Sequence, residues 1–229
     1  MACDNRLMGL PFRAVVFDFD GLIVDTEQPI FNAYTAIFEE YGLVLSLEIW
    51  EQVIGGTGHR DILFEHLEHA LGRPVDRDAL RERARTHHHN VTVTLPPLDG
   101  VVDHIEQARA AGMRLGIASS STGTWVKGHL ERLGLLERFD TICVREDVDR
   151  TKPDPDVYEL AMMRLNVEPN ESIAIEDSPN GITAAKRAGL FCVAVPNPLT
   201  LRMKLDHADL LLGSLSEMTH AEIVRALAS

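Results

Sequence analysis

Between residues 101 and 195, amphipathic helical stretches alternate with short apolar runs, and this alternation constrains the possible folds strongly. The apolar runs are three or four residues long and contain many β-branched side chains, which is typical of buried strands. We predict strands at residues 115–118, 141–144, 173–175 and 192–195, preceded by a first strand at residues 14–17. Strands separated by single helices indicate an α/β fold, a Rossmann-like parallel sheet core with helices on both faces.

The segment between the first two strands has a different pattern. Apolar residues from Ile30 to Tyr41 recur at helical spacing and are followed by Gly42, and a second helical pattern ends near Gly72. No strand pattern is visible between residues 26 and 95, and Pro96-Pro97 marks a boundary. We therefore predict a small all-helical cap domain over residues 26–96, inserted after the first strand. Residues 1–25 and 97–229 would form the core.

The charge and the cysteines narrow the range of partners. A formal net charge of −13 disfavours nonspecific binding to nucleic acid or to an anionic membrane. No apolar run approaches the roughly 20 residues of a membrane span, and the N-terminus lacks the pattern of a secretory signal. The three scattered cysteines are typical of reduced thiols. We expect a cytoplasmic protein, a monomer or a homodimer, with no nucleic-acid or membrane partner.

Four polar clusters follow predicted strands or lie in the loop after one. They are Asp18 with Asp20, Ser119-Ser120-Ser121, Thr151-Lys152-Pro153, and Glu176-Asp177. Because sites in open parallel sheets lie at the carboxyl ends of the strands, we expect these clusters to converge in space.

Several carboxylates at one sheet edge repel one another. Two unit charges about 4 Å apart cost roughly 1 kcal/mol in water and roughly 4 kcal/mol at an effective dielectric near 20. A cation would relieve this repulsion, and hard oxygen ligands without a nearby His or Cys favour Mg²⁺. Asp18 could then attack phosphorus, Asp20 could move the proton, and Lys152 and Ser119 could bind the phosphoryl oxygens.

With these four clusters in this order, the sequence resembles the haloacid dehalogenase superfamily. Residues 18–26 match its first motif, D-x-D-G-x-x-x-D-T/S, and the other three motifs match at Ser119, Lys152 and Glu176-Asp177, in order. The helical insertion resembles the cap of the subfamily that contains β-phosphoglucomutase and phosphoglycolate phosphatase. The cap of that subfamily closes over a small phosphorylated metabolite.

The resemblance implies a role for each matched residue. Asp18 would be the nucleophile and Asp20 the general acid/base. Mg²⁺ would be held by the Asp18 carboxylate, the main-chain carbonyl of Asp20 and Asp177. Glu176 would be either a further metal ligand or a group behind the ligands. Ser119, Ser120 and Lys152 would bind the phosphoryl group.

Within the superfamily, subfamilies that catalyse different reactions carry different residues at certain positions. The positions at which this sequence differs from them narrow the possible reactions. Dehalogenases lack the aspartate at position 20, and phosphonatases need a cap lysine that residues 26–95 do not contain. β-Phosphoglucomutases carry a histidine and a lysine where Ile30 and Thr122 stand here. We therefore expect hydrolysis of a small phosphomonoester, a sugar phosphate or a phosphoglycolate-like compound, through an aspartyl-phosphate. A phosphosugar mutase is the alternative, and a non-catalytic phosphometabolite-binding module is a third possibility.

For three other sets of residues, a structural role competes with a functional one. The Gly-rich turn at residues 54–60 is either a simple connection or a segment that brings Thr57, His59 or Arg60 over the substrate. Ser121 is expected to cap a helix, and a contact with the substrate is the alternative. His87-His88-His89 is expected to be a solvated surface run, because neighbouring residues on a helix face different directions.

Overall fold

The computed structural model of the protein describes residues 12–54 and 61–228. Its sheet has six parallel strands in the order β3-β2-β1-β4-β5-β6. The strands are β1 (Ala14–Phe17), β2 (Arg114–Ala118), β3 (Thr141–Cys143), β4 (Ser172–Glu176), β5 (Phe191–Ala194) and β6 (Leu210–Leu211). The first strand therefore lies inside the sheet, between β2 and β4.

Nine α-helices occur within the described residues. They are α1 (Glu27–Glu40), α2 (Leu47–Trp50), α3 (Asp61–Leu71), α4 (Arg77–Thr92), α5 (Val101–Ala110), α6 (Gly123–Arg132), α7 (Asp156–Leu165), α8 (Pro179–Arg187) and α9 (His220–Leu227). Short 3₁₀ turns lie at Leu136–Arg138, Arg145–Asp147, Pro169–Glu171 and Leu215–Glu217. In these described ranges no helix has both the length and the apolar character needed to cross a membrane.

The sheet is covered by helices on both faces. Alternate side chains of β1 point in opposite directions. Val15 and Phe17 belong to one apolar cluster, which includes residues of α5, α6 and α9, whereas Ala14 and Val16 belong to a second cluster with residues of α7 and α8. The prediction of a Rossmann-like parallel core with helices on both faces is confirmed.

Two elements near the C-terminus were not identified from the sequence. Strand β6 has only two residues, which is too short for an alternating pattern to be read. Helix α9 begins with a capping box in which Thr219 and Glu222 bond to each other's backbone amides, a signal that the sequence does contain. The third and fifth strands end one residue earlier than predicted, and β5 also begins one residue earlier.

Helices α1 to α4 follow β1 and pack around a separate apolar cluster, to which Leu199 from the loop after β5 also belongs. The large buried side chains of this cluster include Tyr34, Trp50 and Phe64. The chain rejoins the sheet region where the Leu98 amide donates to the carbonyl of Ile23 at 2.9 Å. A helical cap inserted after the first strand is therefore present as predicted, while the boundaries at residues 26 and 96 stay predictions.

Candidate active site

Asp18 follows β1 directly and is buried at the carboxyl end of the sheet. Its amide donates to the carbonyl of Ile175, so the residue continues the pairing of β1 with β4. Lys152 reaches the same point from the loop before α7, and its ammonium donates to Asp18 Oδ1 and, at 2.5 Å, to Glu176 Oε1. The structure therefore brings residues from three distant parts of the sequence into one buried ion-pair network.

Glu176 is fully buried, and both of its oxygens accept hydrogen bonds. Besides Lys152, the Tyr158 hydroxyl donates to Oε1 at 2.6 Å. The Asp177 amide donates to Oε2 at 3.2 Å, and the Ser178 hydroxyl donates to it at 3.4 Å. With its oxygens used in this way, Glu176 is better placed to hold Lys152 than to ligate a cation.

Asp177 lies next to Asp18 and is held by Asn197. The Asn197 amide group donates to Asp177 Oδ2 at 2.8 Å, and its own carbonyl oxygen accepts from the amides of Leu199 and Thr200. Gly21 lies against the same carboxylate with a φ of +77°, and a Cβ there would be 2.3 Å from Asp177 Oδ2. The loop after β1 thus needs glycine at this position.

The buried charges shift one another's protonation. Burial, reinforced by the charges of Glu176 and Asp20, raises the pKa of Asp18 to about 8 even though Lys152 opposes the shift. Burial and the neighbouring carboxylates of Asp18 and Glu176 raise the pKa of Asp177 well above its usual range. For Lys152, burial disfavours the charged form, but the two carboxylates outweigh it and raise the pKa.

The donor set fits a hard divalent cation. Asp18 and Asp177 each offer a carboxylate oxygen, with the Glu176 carboxylate beside them, and one oxygen of each of the three lies within 4.8 Å of the others. One lysine cannot neutralise three carboxylates, so a cation bound by oxygen would lower the cost of their mutual repulsion. The acidic cluster therefore suits a divalent metal site.

The Asp20 carboxylate is held by three donors outside this cluster. Its Oδ1 accepts from the Thr26 hydroxyl at 2.9 Å and from the Trp125 indole at 2.8 Å, and its Oδ2 accepts from the Ser121 hydroxyl at 2.6 Å. Ser121 was expected to cap a helix, and that expectation is wrong. The cap of α6 is Thr122, whose hydroxyl accepts from the Trp125 amide.

The serines after β2 lie beside the carboxylates. Ser119 is buried, and its hydroxyl accepts from the Ser121 amide at 3.0 Å. The Ser120 hydroxyl is also buried, and it has no hydrogen-bond partner within residues 12–54 and 61–228. An unpartnered donor near the N-terminus of α6 suits an anionic group of a substrate.

A cleft of about 780 Å³ opens between the cap and the core. Its core wall includes Asp20 and the segment from Ser120 to Thr122, and its cap wall includes Ile30 of α1 and His88 of α4. The expectation of a solvated histidine run is wrong for His88, which is half-buried and stacks on Trp125, whereas His87 and His89 are exposed. Arg60 and residues 55–59 of the Gly-rich turn lie outside the described residues.

Three residues of the site were missed at the level of sequence. Asn197 could have been found, because it follows the predicted fifth strand just as the other clusters follow theirs. Tyr158 lies on the buried face of α7 and resembles an ordinary core residue in sequence. Trp125 lies in the first turn of α6, and no local pattern distinguishes it from a packing aromatic.

Buried acids and a lysine gather at the carboxyl ends of the parallel strands, where the sites of α/β enzymes lie. The chain belongs to the haloacid dehalogenase-like hydrolase family, whose sequence profile it matches over residues 15–195. The phosphatases of this family use a divalent metal, which agrees with the acidic cluster.

The relatives cover nearly the whole chain. The Bacillus subtilis (strain 168) protein YhcW is 40% identical over 218 residues, which are 95% of this chain and 98% of that protein. The validoxylamine A 7'-phosphate phosphatase of Streptomyces hygroscopicus subsp. limoneus is 30% identical over 90% of this chain and 96% of its own. The crystal structure of CbbY from Rhodobacter sphaeroides in complex with phosphate has 30% identity and a TM-score of 0.73, covering 90% of this chain and 96% of that one.

Proposed function

We propose that this protein is a Mg²⁺-dependent phosphatase that hydrolyses a small phosphomonoester through an aspartyl-phosphate on Asp18. The observation that carries the proposal is the buried contact of Asp18 with Lys152 beside the acidic cluster. A carboxylate at the end of a central strand, next to a cation-binding cluster and a lysine, can serve as a nucleophile toward phosphorus.

The carboxylates of Asp18 and Asp177 and the main-chain carbonyl of Asp20 would hold the Mg²⁺. The bound cation would keep Asp18 ionised and offset the charge of the phosphoryl oxygens. Asn197 fixes the Asp177 carboxylate, and Glu176 fixes the Lys152 ammonium, so both are oriented before a substrate arrives. Preorganised charges of this kind contribute to transition-state stabilisation without rearrangement during the reaction.

In the first half of the reaction, Asp18 attacks phosphorus, and the bond from phosphorus to the ester oxygen breaks. Asp20 supplies the proton that the leaving oxygen takes. In the second half, Asp20 removes a proton from water, which attacks the phosphorus of the aspartyl-phosphate and frees phosphate and Asp18. Lys152, Ser119 and Ser120 bind the equatorial phosphoryl oxygens, and the buried Ser120 hydroxyl is available for this contact.

The cleft and the relatives support a small phosphorylated metabolite as the substrate. A cleft of about 780 Å³ suits a sugar phosphate or a compound of the size of phosphoglycolate. One relative is named for a validoxylamine phosphate and another, from Thermotoga maritima, for phosphorylated carbohydrates. Ile30 offers no hydrogen bond to a sugar, and the Thr122 hydroxyl is used as a helix cap, which supports hydrolysis over the mutase alternative.

The nucleophile and the metal can be tested on purified protein. We expect Asp18→Asn to abolish phosphate release from p-nitrophenyl phosphate with Mg²⁺, because an amide cannot form the aspartyl-phosphate. Asp103→Asn, an exposed position on α5, is the matched control and should keep full activity. EDTA should abolish wild-type activity, and added Mg²⁺ should restore it.

Full turnover by Asp18→Asn would show that the nucleophile is another residue, and full activity in EDTA would remove the metal from the reaction. A screen of sugar phosphates, phosphoglycolate and nucleotides would then identify the substrate. For β-glucose 1-phosphate, NMR separates the alternatives, because a hydrolase yields inorganic phosphate and a mutase yields glucose 6-phosphate.

A further inference from the structure

Trp125 contacts the proposed acid/base directly. The residue lies in the first turn of α6, is half-buried and lines the cleft. Its indole Nε1 is 2.8 Å from Asp20 Oδ1, a normal distance for a hydrogen bond from nitrogen to a carboxylate. None of the sequence motifs includes this tryptophan.

The same ring is stacked against the cap. His88 of α4 lies over the indole with ring centroids 5.1 Å apart and an interplanar angle of 24°. His88 Nε2 is also 2.9 Å from the main-chain oxygen of Thr26, whose hydroxyl donates to Asp20. On the core side, His129 lies edge-on at 4.2 Å. Trp125 therefore contacts a cap helix and the Asp20 carboxylate at the same time.

The chemistry of the indole makes this contact directional. An indole N–H can only donate, so it holds Asp20 Oδ1 as an acceptor at a fixed point. Thr26 and Ser121 supply the other two donors, and together the three fix the plane of the carboxyl group. Proton transfer requires the carboxyl group to lie within hydrogen-bond reach of the leaving oxygen, and small misplacements reduce the rate steeply.

We propose that Trp125 is a positioning residue that orients Asp20 for proton transfer to the leaving group. Its stack with His88 makes that orientation depend on the contact between the cap and the core. The inference rests on the proposed phosphatase function and adds a residue that acts through Asp20 without touching the phosphoryl group.

The test compares two esters that differ in their need for a proton. Phenyl phosphate and p-nitrophenyl phosphate have nearly the same shape, but p-nitrophenolate leaves readily without protonation, whereas phenolate benefits from a general acid. Trp125→Phe keeps an aromatic ring against His88 and removes only the N–H donor. We expect kcat/KM to fall about tenfold more for phenyl phosphate than for p-nitrophenyl phosphate, because only the former depends on Asp20 as an acid.

Two further variants separate positioning from packing. Trp50→Phe alters the other tryptophan, which is buried in the cap, and should leave the ratio of the two kcat/KM values unchanged. His88→Ala removes the stack. It should lower the ratio of kcat/KM for phenyl phosphate to kcat/KM for p-nitrophenyl phosphate, as Trp125→Phe is expected to do. His87→Ala, on the exposed neighbouring position, should not. His88→Ala also carries the test if Trp125→Phe does not fold, as judged by circular dichroism.

Equal losses on both esters, or no loss, in folded Trp125→Phe would overturn the positioning role. That outcome is distinguishable from a failure of the proposed function. The latter would appear in the wild type as no phosphate release from either ester, or as full activity in Asp18→Asn.

Discussion

At the scale of single residues, the fully buried Glu176 carboxylate links the acidic cluster to the lysine. A buried carboxylate is costly unless its oxygens are paired, and here Lys152, Tyr158, Ser178 and the Asp177 amide provide the partners. The Lys152 ammonium also lies 5.0 Å from the centre of the Tyr158 ring. Tyr158 therefore holds both members of the ion pair that reaches Asp18.

We expect Tyr158→Phe to destabilise the protein by about 1–3 kcal/mol, because it leaves a buried charged acceptor short of one donor. Its kcat should fall more than its KM changes, since the Lys152 ammonium loses part of its support while the cleft stays intact. Urea unfolding and steady-state kinetics measure the two effects. Tyr41→Phe, at the end of α1, is the control, and equal stability of the two variants would contradict the role given to the Tyr158 hydroxyl.

The carboxylates and the lysine could be located from the sequence because each follows a strand or lies in the loop after one. That rule depends only on the direction of parallel strands. Trp125 and Tyr158 could not be located, because their contacts depend on how α6 and α7 rotate against the sheet. A helical period gives the buried face, but it does not tell a packing aromatic from one whose polar atom reaches a carboxylate.

At the scale of the elements, α8 begins directly against Glu176. Ser178 caps the helix by accepting from the Gly181 amide at 3.2 Å. A Cβ on Gly181 would lie 1.9 Å from Glu176 Oε2, so the first turn of the helix and the buried carboxylate can coexist only with glycine here. With glycine at position 181, the helix can approach Glu176 more closely than any residue with a Cβ at that position would allow.

Two glycine-to-alanine changes in helices should have opposite effects. Gly128→Ala, in the exposed middle of α6, meets no atom within 4 Å and should stabilise the protein by about 0.5–1 kcal/mol through helix propensity. Gly181→Ala should destabilise it and lower kcat, because it displaces Glu176 and with it Lys152. Thermal unfolding and steady-state kinetics measure these effects. If both variants were stabilised and fully active, the close contact between Gly181 and Glu176 would be unimportant.

The strands of the central sheet were predictable because β1, β2, β4 and β5 are mostly apolar and almost entirely buried. The edge strand β6 was not, because it consists of Leu210 and Leu211 alone, and Leu211 is exposed. Its pairing with β5 is decided by the fold around it. Local sequence carries little information about a strand of that length.

At the scale of the whole molecule, the buried acidic cluster couples folding to the binding of protons. The pKa of Asp18 rises from 3.8 to about 8 on folding without a metal. A carboxyl group with a raised folded-state pKa favours folding most below pH 3.8, and its contribution is lost as the pH rises through about 8. Asp177, whose pKa is also raised, acts in the same direction.

We expect the Tm in EDTA to fall as the pH rises from about 6 to about 8, because over this range the folded state still holds protons that the unfolded state has already lost, and holding them costs more as the pH rises. Asp18→Asn should reduce this slope, since an amide does not titrate. Mg²⁺ should raise the Tm more at the upper end of the range, where less proton displacement is needed for binding. Differential scanning calorimetry measures all three, and identical slopes for wild type and variant would refute the assignment.

The hydrogen bond between Leu98 and Ile23 brings the two ends of the cap insertion to one place beside the sheet. Because the chain leaves the core and returns to it at neighbouring points, the cap could be replaced by another helical insertion without changing the core. New substrate preferences could arise by exchanging the cap while β1 and Asp18 keep their pairing with β4. The same property would let an engineer graft a cap from a relative onto this core and select for a different phosphate ester.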